Sequence, residues 1–249
     1  MNILISGASG AMGKVLANMV NETDDLTVVA GFANTSVDDS PFPVYTDLME
    51  VEEDVDVVID FSQPSALDSL LAFGKEKQVP LVIATTGYSD EQEAQIEEAA
   101  KELPILHAKN MSLGVNVMEI IAEELAGLLA HFDIEIVEKH HRLKKDAPSG
   151  TAKMLFDAVN KGRDNSLNAL VGRSGSYDNR PDEEVGISSV RAGTIVGDHS
   201  VIYAGANEVI ELNHQAESKG VFASGSITAA RFLVEQDNGL YNMHDVLRG

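Results

Sequence analysis

The chain has 249 residues, of which 44% are hydrophobic, and it has no cysteine, which excludes disulfide bonds, thiolate catalysis and cysteine-based metal sites. Its 18 basic and 40 acidic residues give a formal net charge of −22, which disfavours nucleic acid and anionic lipid as partners because both are bound through basic side chains. The first residues show no basic signal segment and no apolar stretch reaches the ~18 residues of a membrane span, so we expect a cytoplasmic protein with no membrane partner.

The first hundred residues alternate between strand and helix patterns. Short apolar strands are predicted at residues 2–6, 26–32, 55–61, 79–85 and 104–107, and helices at residues 14–21, 64–77 and 90–102. Strands separated by helices of this length indicate βαβ units and a parallel sheet.

The pattern changes after residue 110. Helices are predicted at residues 115–130, 152–160 and 221–234, strands at 132–139, 185–192, 194–204 and 208–214, and a polar loop at 163–184. This order indicates a mixed or antiparallel sheet. We therefore expect an α/β protein, with an N-terminal domain over residues 1–111, which the C-terminal segment 221–249 rejoins, and an α+β domain over residues 112–220.

A glycine-rich turn at residues 7–13 follows the first strand and precedes a helix. Gly7 permits a tight turn, Gly10 lets the backbone approach a pyrophosphate, and Gly13 allows close packing of the helix on the strand. The free N–H groups of the helix N-terminus favour phosphate. The alternative is a glycine turn without a ligand, but its position predicts a dinucleotide-binding, Rossmann-type parallel sheet.

Two other strand ends carry polar residues. After the second strand, Asn34, Thr35 and Ser36 provide neither the carboxylate that binds a ribose 2′-hydroxyl nor the arginine that binds a 2′-phosphate, so the choice between NADH and NADPH stays open. Thr85 and Thr86 follow another strand, where ligands of such sheets bind, although taken alone they also fit an ordinary turn.

Residues 140–151 combine two histidines, three basic side chains and a Ser-Gly-Thr helix start. Backbone N–H groups at a helix N-terminus and the Lys144 ammonium group would bind an anion within an otherwise acidic protein, and a small dicarboxylate fits such a site. The alternatives are a solvated basic loop and a zinc site. The other histidines lack metal-ligand spacing, so we expect no metal.

Five motifs together resemble the dihydrodipicolinate reductases, also called 4-hydroxy-tetrahydrodipicolinate reductases, of the lysine and diaminopimelate pathway. They lie at residues 7–13, 85–87, 110–116, 138–152 and 190–199 and cover nearly the whole chain. The histidine motif is highly specific, whereas the glycine turn alone is shared by many nucleotide-binding dehydrogenases.

The resemblance implies a role for each matching residue. The nicotinamide cofactor, NADH or NADPH, would be bound by Gly7, Ala8, Ser9, Gly10, Ala11, Met12, Gly13, Asn34, Ala84, Thr85, Thr86, Ala108, Lys109, Asn110 and Met111. The dicarboxylate substrate would be bound by His141, Lys144, Ser149, Gly150 and Thr151. Hydride would reach ring C4 and a proton C3, and either His140 or Lys144 would be the acid.

The resemblance also implies that the two domains close over the ligands, and that the second domain binds substrate and assembles the chain as a homotetramer. Lys219 departs from the family pattern, where arginine is expected. Two alternatives stay open: another two-domain NAD(P)-dependent reductase of a small amino-acid-like substrate, and a nucleotide-sensing protein without catalysis. Neither accounts for His140, His141 and Lys144 together.

Overall fold

The computed structural model describes residues 1–35, 37, 39–176 and 178–249. These residues form two compact units, one made of Met1–Leu113 with Lys219–Gly249 and the other of Gly114–Ser218. No helix in the described part of the chain is long and apolar enough to cross a membrane.

The first unit is built on a seven-stranded sheet in the order β12-β6-β5-β4-β1-β2-β3, and every neighbouring pair is parallel. Its strands are β1 (Asn2–Ser6), β2 (Thr27–Phe32), β3 (Val44–Tyr45), β4 (Val57–Asp60), β5 (Leu81–Ile83), β6 (Pro104–His107) and β12 (Gly239–Tyr241). Its helices are α1 (Ala11–Asn21), α2 (Leu67–Lys77), α3 (Asp90–Ala99), α6 (Gly220–Leu233) and α7 (Met243–Arg248).

The strands of this sheet are hydrophobic on both faces because helices cover both. Ile3 and Ile5 of β1 lie in one apolar cluster with residues of α1 and α6, whereas Leu4, between them, lies in a second cluster with residues of α2 and α3. Side chains that alternate along a strand point to opposite faces, so continuous apolar strands fit a doubly covered parallel sheet.

The second unit is built on a five-stranded mixed sheet in the order β11-β10-β7-β9-β8. Its strands are β7 (Asp133–His140), β8 (Asn168–Val171), β9 (Glu184–Arg191), β10 (Gly197–Ala204) and β11 (Val209–Ala216), and its helices are α4 (Leu113–Leu128) and α5 (Gly150–Lys161). Strand β7 is parallel to β9 and antiparallel to β10. The parallel sheet of the first unit and this mixed sheet confirm the predicted fold class.

Several predicted element bounds were wrong. The predicted loop at residues 163–184 contains the strand β8, whose sequence pattern is weak because it lies at the edge of the sheet, next to β9, and its residues are largely exposed. The two-residue β3, and β12 and α7 near the C-terminus, were not predicted. Helix α1 begins at Ala11 and not at the predicted residue 14, so the last three residues of the glycine-rich segment 7–13 belong to the helix.

Candidate active site

The glycine turn of the first unit leaves no space for side chains at two of its positions. Gly7 has a φ of 84°, and a Cβ atom there would lie 2.6 Å from the carbonyl oxygen of Phe61. A Cβ atom on Gly13 would lie 2.4 Å from the carbonyl oxygen of Gly7. Glycine is therefore required at both positions for the turn to close against α1.

The start of α1 offers its backbone to a ligand. Its N-cap is Gly10, and within the described part of the chain no side chain caps the helix. The first N–H groups of a helix carry partial positive charge and need an acceptor, which a pyrophosphate supplies. The crowded glycine cradle and this uncapped N-terminus fit a dinucleotide cofactor.

The other predicted cofactor residues follow strands whose carboxyl ends share one edge of the sheet. Asn34 follows β2, Ala84 to Thr86 follow β5, and Ala108 to Met111 follow β6. Asn34 and Thr86 are exposed, and Ser36 lies outside the described residues. Thr85 is buried, and its hydroxyl has no partner in good hydrogen-bond geometry among the described residues. The edge thus provides polar groups beside the glycine turn.

A buried carboxyl group, Asp60, ends β4 at the same edge. Its Oδ1 accepts hydrogen bonds from the Ser6 hydroxyl at 2.6 Å and from the Ser62 backbone N–H at 3.2 Å, while Oδ2 has no partner among the described residues. Burial raises the pKa of Asp60, and the hydrogen bonds from the neighbouring hydroxyls only partly offset this. Burial therefore makes Asp60 harder to ionise than an exposed aspartate.

In the second unit, Ser149 is the N-cap of α5. Its hydroxyl oxygen accepts the N–H of Ala152 at 3.1 Å, and its own N–H donates to Glu138 Oε1 at 3.1 Å. Pro148 immediately precedes this N-cap. The next residue, Gly150, is exposed, with open space where a side chain would stand. Buried hydrogen bonds therefore fix Ser149 at the start of α5, while Gly150 next to it is accessible to a ligand.

A second buried carboxyl group, Glu138, anchors this region. Its carboxylate accepts two hydrogen bonds from the Arg191 guanidinium, both at 2.7 Å, and lies 2.7 Å from His140 Nδ1. Burial alone would raise the pKa of Glu138, but Arg191, His140 and the Ser149 N–H outweigh it and lower the pKa to about 2. Glu138 is thus a buried anion that orients the His140 ring.

His199 of β10 packs in the same cluster. Its ring meets that of His140 edge to face at 5.2 Å, and its Nε2 lies 2.9 Å from Ser149 Oγ. Burial and the nearby His140 lower the pKa of His199 to about 4. His199 is therefore neutral at neutral pH.

The remaining predicted substrate residues lie in the segment between β7 and α5. Lys144 is partly buried and forms an ion pair with Asp146 at 2.8 Å, which lowers the pKa of that aspartate. The Lys144 backbone N–H donates to the His141 carbonyl at 3.1 Å. His141 and Thr151 are half-buried. The structure thus holds His140 and Ser149 in one hydrogen-bonded cluster and Lys144 in a separate ion pair.

Glu138, Arg191 and His199 were not predicted as site residues. Strand register brings them together: His199 pairs with Glu138 across β10 and β7, and Arg191 pairs with His140 across β9 and β7. A signal was present, because Glu138 and His140 continue the alternation of the buried Ile134 and Ile136. Charged residues at the alternating positions of a strand that point into the core indicate a cluster of paired polar side chains.

Comparison with known proteins shows what the chain is similar to. Residues 1–111 match the family model described as dihydrodipicolinate reductase, N-terminus, and residues 114–247 match the one described as dihydrodipicolinate reductase, C-terminus. Curated relatives named 4-hydroxy-tetrahydrodipicolinate reductase come from Caldanaerobacter subterraneus subsp. tengcongensis, 49% identical over 100% of this chain and 98% of the relative, and from Clostridium novyi, 42% identical over 99% and 98%.

Solved structures share the fold. A dipicolinate-bound dihydrodipicolinate reductase from Paenisporosarcina sp. TG-14 is 24% identical, covers 97% of both chains and has a TM-score of 0.82. The diaminopimelate (DAP) dehydrogenase of C. glutamicum in complex with DAP is 14% identical, covers 98% of this chain and 92% of its own, and has a TM-score of 0.57. Together with the family matches, these findings show that the chain is an NAD(P)H-dependent oxidoreductase that belongs to the dihydrodipicolinate reductase family.

Proposed function

We propose that the protein reduces 4-hydroxy-tetrahydrodipicolinate to tetrahydrodipicolinate with NADH or NADPH, in the biosynthesis of diaminopimelate and lysine. Loss of the 4-hydroxyl group as water gives a conjugated imine. Hydride addition at ring C4 and protonation at C3 then complete the reduction. The names of the full-length relatives support this substrate, and the dipicolinate bound to the relative from Paenisporosarcina supports a flat dicarboxylate ligand.

The observation that carries the proposal is the start of α5. Ser149 caps this helix from a buried position, while Gly150 next to it is exposed and leaves open space. The N–H groups of Gly150 and Thr151 would donate to one substrate carboxylate, because a helix N-terminus stabilises negative charge. His141 and Lys144 would bind the same dianion.

Residues of the first unit would hold the cofactor. The glycine turn would bind its pyrophosphate, and Thr85, Thr86 and the segment 108–111 would line its nicotinamide end. When bound, the reduced cofactor supplies the hydride. The buried Thr85 hydroxyl, which has no partner in good geometry among the described residues, supports this assignment because buried polar atoms otherwise lack compensation.

The proton would come from His140 or Lys144. His140 Nδ1 is hydrogen-bonded to the Glu138 carboxylate, so Nε2 is the nitrogen of that ring that would exchange a proton with substrate. Lys144 would stabilise the anionic charge that develops after hydride addition, or protonate C3 itself. Both residues therefore belong to the proposed catalytic group.

The test is turnover with enzymatically generated substrate, followed through the absorbance of reduced nicotinamide. We expect wild-type oxidation of NADH or NADPH that depends on this substrate, and no reaction with amino acids. Lys144→Ala should lower kcat/KM by about 100-fold or more, since a positioned acid contributes about that much, with cofactor affinity unchanged. Turnover unchanged in Lys144→Ala would remove Lys144 from the mechanism.

We also propose that the two units divide the work, with the cofactor on residues 1–111 and 221–249, and with the substrate and a homotetramer interface on residues 112–220. The face of the mixed sheet away from α4 and α5 supports the interface, because Val190 and Val209 on it are 41% and 62% exposed. Light scattering should give the mass of a tetramer, and a monomer at micromolar concentration would contradict this assignment.

A further inference from the structure

The Ser149 hydroxyl lies between two fixed partners. Its oxygen accepts the Ala152 N–H at 3.1 Å and lies 2.9 Å from His199 Nε2. Ser149 and His199 are 2% and 5% exposed, so water does not replace either contact. If Ser149 donates its hydroxyl proton to His199 Nε2, that proton is not available to a ligand. If His199 Nε2 carries the proton and donates to Ser149 Oγ, the serine proton is available.

The position of the His199 proton follows from the surroundings of the ring. A neutral imidazole has one N–H donor and one acceptor nitrogen, and the lowered pKa of His199, about 4, keeps the ring neutral at neutral pH. Its Nδ1 is buried with no hydrogen-bond partner among the described residues. A proton on Nδ1 would therefore be an unpaired buried donor, which is rarer than an unpaired acceptor. The proton accordingly lies on Nε2, which donates to Ser149 Oγ.

This assignment fills both lone pairs of the Ser149 oxygen. One accepts the Ala152 N–H and the other accepts His199 Nε2–H. The hydroxyl can then act only as a donor, and its proton must point to an acceptor outside this pair. A hydroxyl that only donates favours an anion.

We propose that His199 is a positioning residue that commits the Ser149 hydroxyl to donate a hydrogen bond to a substrate carboxylate. The inference rests on the proposed function, which places that carboxylate at the start of α5. It adds a residue that does not touch substrate but acts on substrate binding through Ser149. Its effect belongs on KM for the dicarboxylate and not on cofactor binding.

Two matched substitutions separate the donated hydrogen bond from simple packing. The side-chain amide nitrogen of glutamine reaches about as far as Nε2, whereas that of asparagine reaches only as far as Nδ1. We expect His199→Gln to keep KM within about threefold of wild type, and His199→Asn and Ser149→Ala to raise it by about tenfold or more, the loss for one hydrogen bond to a charged group. The dissociation constant of NADH should be unchanged in all three.

A double-mutant cycle tests whether His199 acts through Ser149. His199→Asn in the Ser149→Ala background should cause no further rise in KM, because the group that it positions is absent. Effects that multiply in the double variant would overturn the inference, as would a His199→Gln variant as impaired as His199→Asn. Circular dichroism and NADH binding identify any variant that fails to fold.

Calorimetry with dipicolinate separates this inference from the proposed function. A wild-type protein without turnover would contradict the proposed function, and the same variants would then be compared by their dissociation constants for dipicolinate, with the same expected ratios. Wild-type protein that binds no dipicolinate in the presence of NADH would overturn the inference too, since no carboxylate would then meet Ser149.

Discussion

Two buried carboxyl groups, one in each unit, lie at the carboxyl ends of strands and have opposite properties. Asp60 and Glu138 are 1% and 0% exposed. Burial raises the pKa of Asp60, whereas the pKa of Glu138 is lowered to about 2 despite its burial. Ionisation is therefore made harder at Asp60 and easier at Glu138.

Both carboxyl groups are almost inaccessible to solvent, but their partners differ. Asp60 accepts hydrogen bonds in good geometry from a hydroxyl and a backbone N–H, both on Oδ1. Glu138 has the two-pronged Arg191 guanidinium, His140 Nδ1 and the Ser149 N–H. At Asp60 the neutral donors only partly offset the cost of burying the charge, whereas at Glu138 the Arg191 guanidinium and the other donors together outweigh that cost.

This contrast matches the ligand that each region is proposed to bind. The raised pKa of Asp60 reduces its tendency to place negative charge at the edge that would bind a pyrophosphate. The anionic Glu138 is neutralised by Arg191, so it can orient His140 and Ser149 without opposing a dicarboxylate.

The largest expected effect comes from Glu138→Gln. The amide keeps the shape but leaves Arg191 without its anion and His140 without its acceptor, so the free energy of unfolding should fall by about 3–5 kcal/mol at neutral pH. Chemical denaturation measures this loss. A loss below about 1 kcal/mol would show that the Arg191 pair contributes little.

The pH dependence of that loss is the next effect. The folded pKa of Glu138, about 2, lies below its ordinary value of 4.5, so its stabilisation is fully present above pH 4.5 and is lost as the pH falls towards 2. The difference in unfolding free energy between wild type and Glu138→Gln should therefore shrink over this interval. A difference that stays constant there would contradict the lowered pKa.

Asp60→Asn should change the free energy of unfolding in the opposite direction to Glu138→Gln, and by less. Because the folded pKa of Asp60 is raised above its ordinary value of 3.8, the folded state holds the proton more tightly and loses stability relative to the unfolded state as the pH rises above that value. The asparagine variant should be as stable as wild type, or up to about 1 kcal/mol more stable, at neutral pH. Its advantage should decrease as the pH is lowered, which denaturation at several pH values measures.

Glu135→Gln is the matched control on the strand of Glu138 and should have the smallest effect. Glu135 lies on the other face of β7 and also pairs with two arginines, Arg173 and Arg180, but its side chain is 27% exposed. Water screens such pairs, so the loss should be about 1 kcal/mol or less by the same denaturation experiment. A loss equal to that of Glu138→Gln would mean that burial does not distinguish the two sites.

Much of the fold was predictable because the evidence for it is local. The apolar runs of β1 and β4 and the glycine turn between β1 and α1 determine a parallel, dinucleotide-type sheet. The edge strand β8 was missed because exposed residues give no hydrophobic alternation. The glycine turn and the Ser-Gly-Thr start of α5 were recognisable for the same reason, since each completes its geometry within a few residues.

The sequence by itself determined which residue types stand at each strand and helix end, and therefore the class of ligand that each end favours. Only the tertiary structure decided which buried polar groups meet. Arg191 and His199 are 53 and 61 residues from Glu138 along the chain, and strand register brings them to it. The charge state of a buried carboxyl group depends on partners within a few ångströms, and that distance is set by the fold and not by position along the chain.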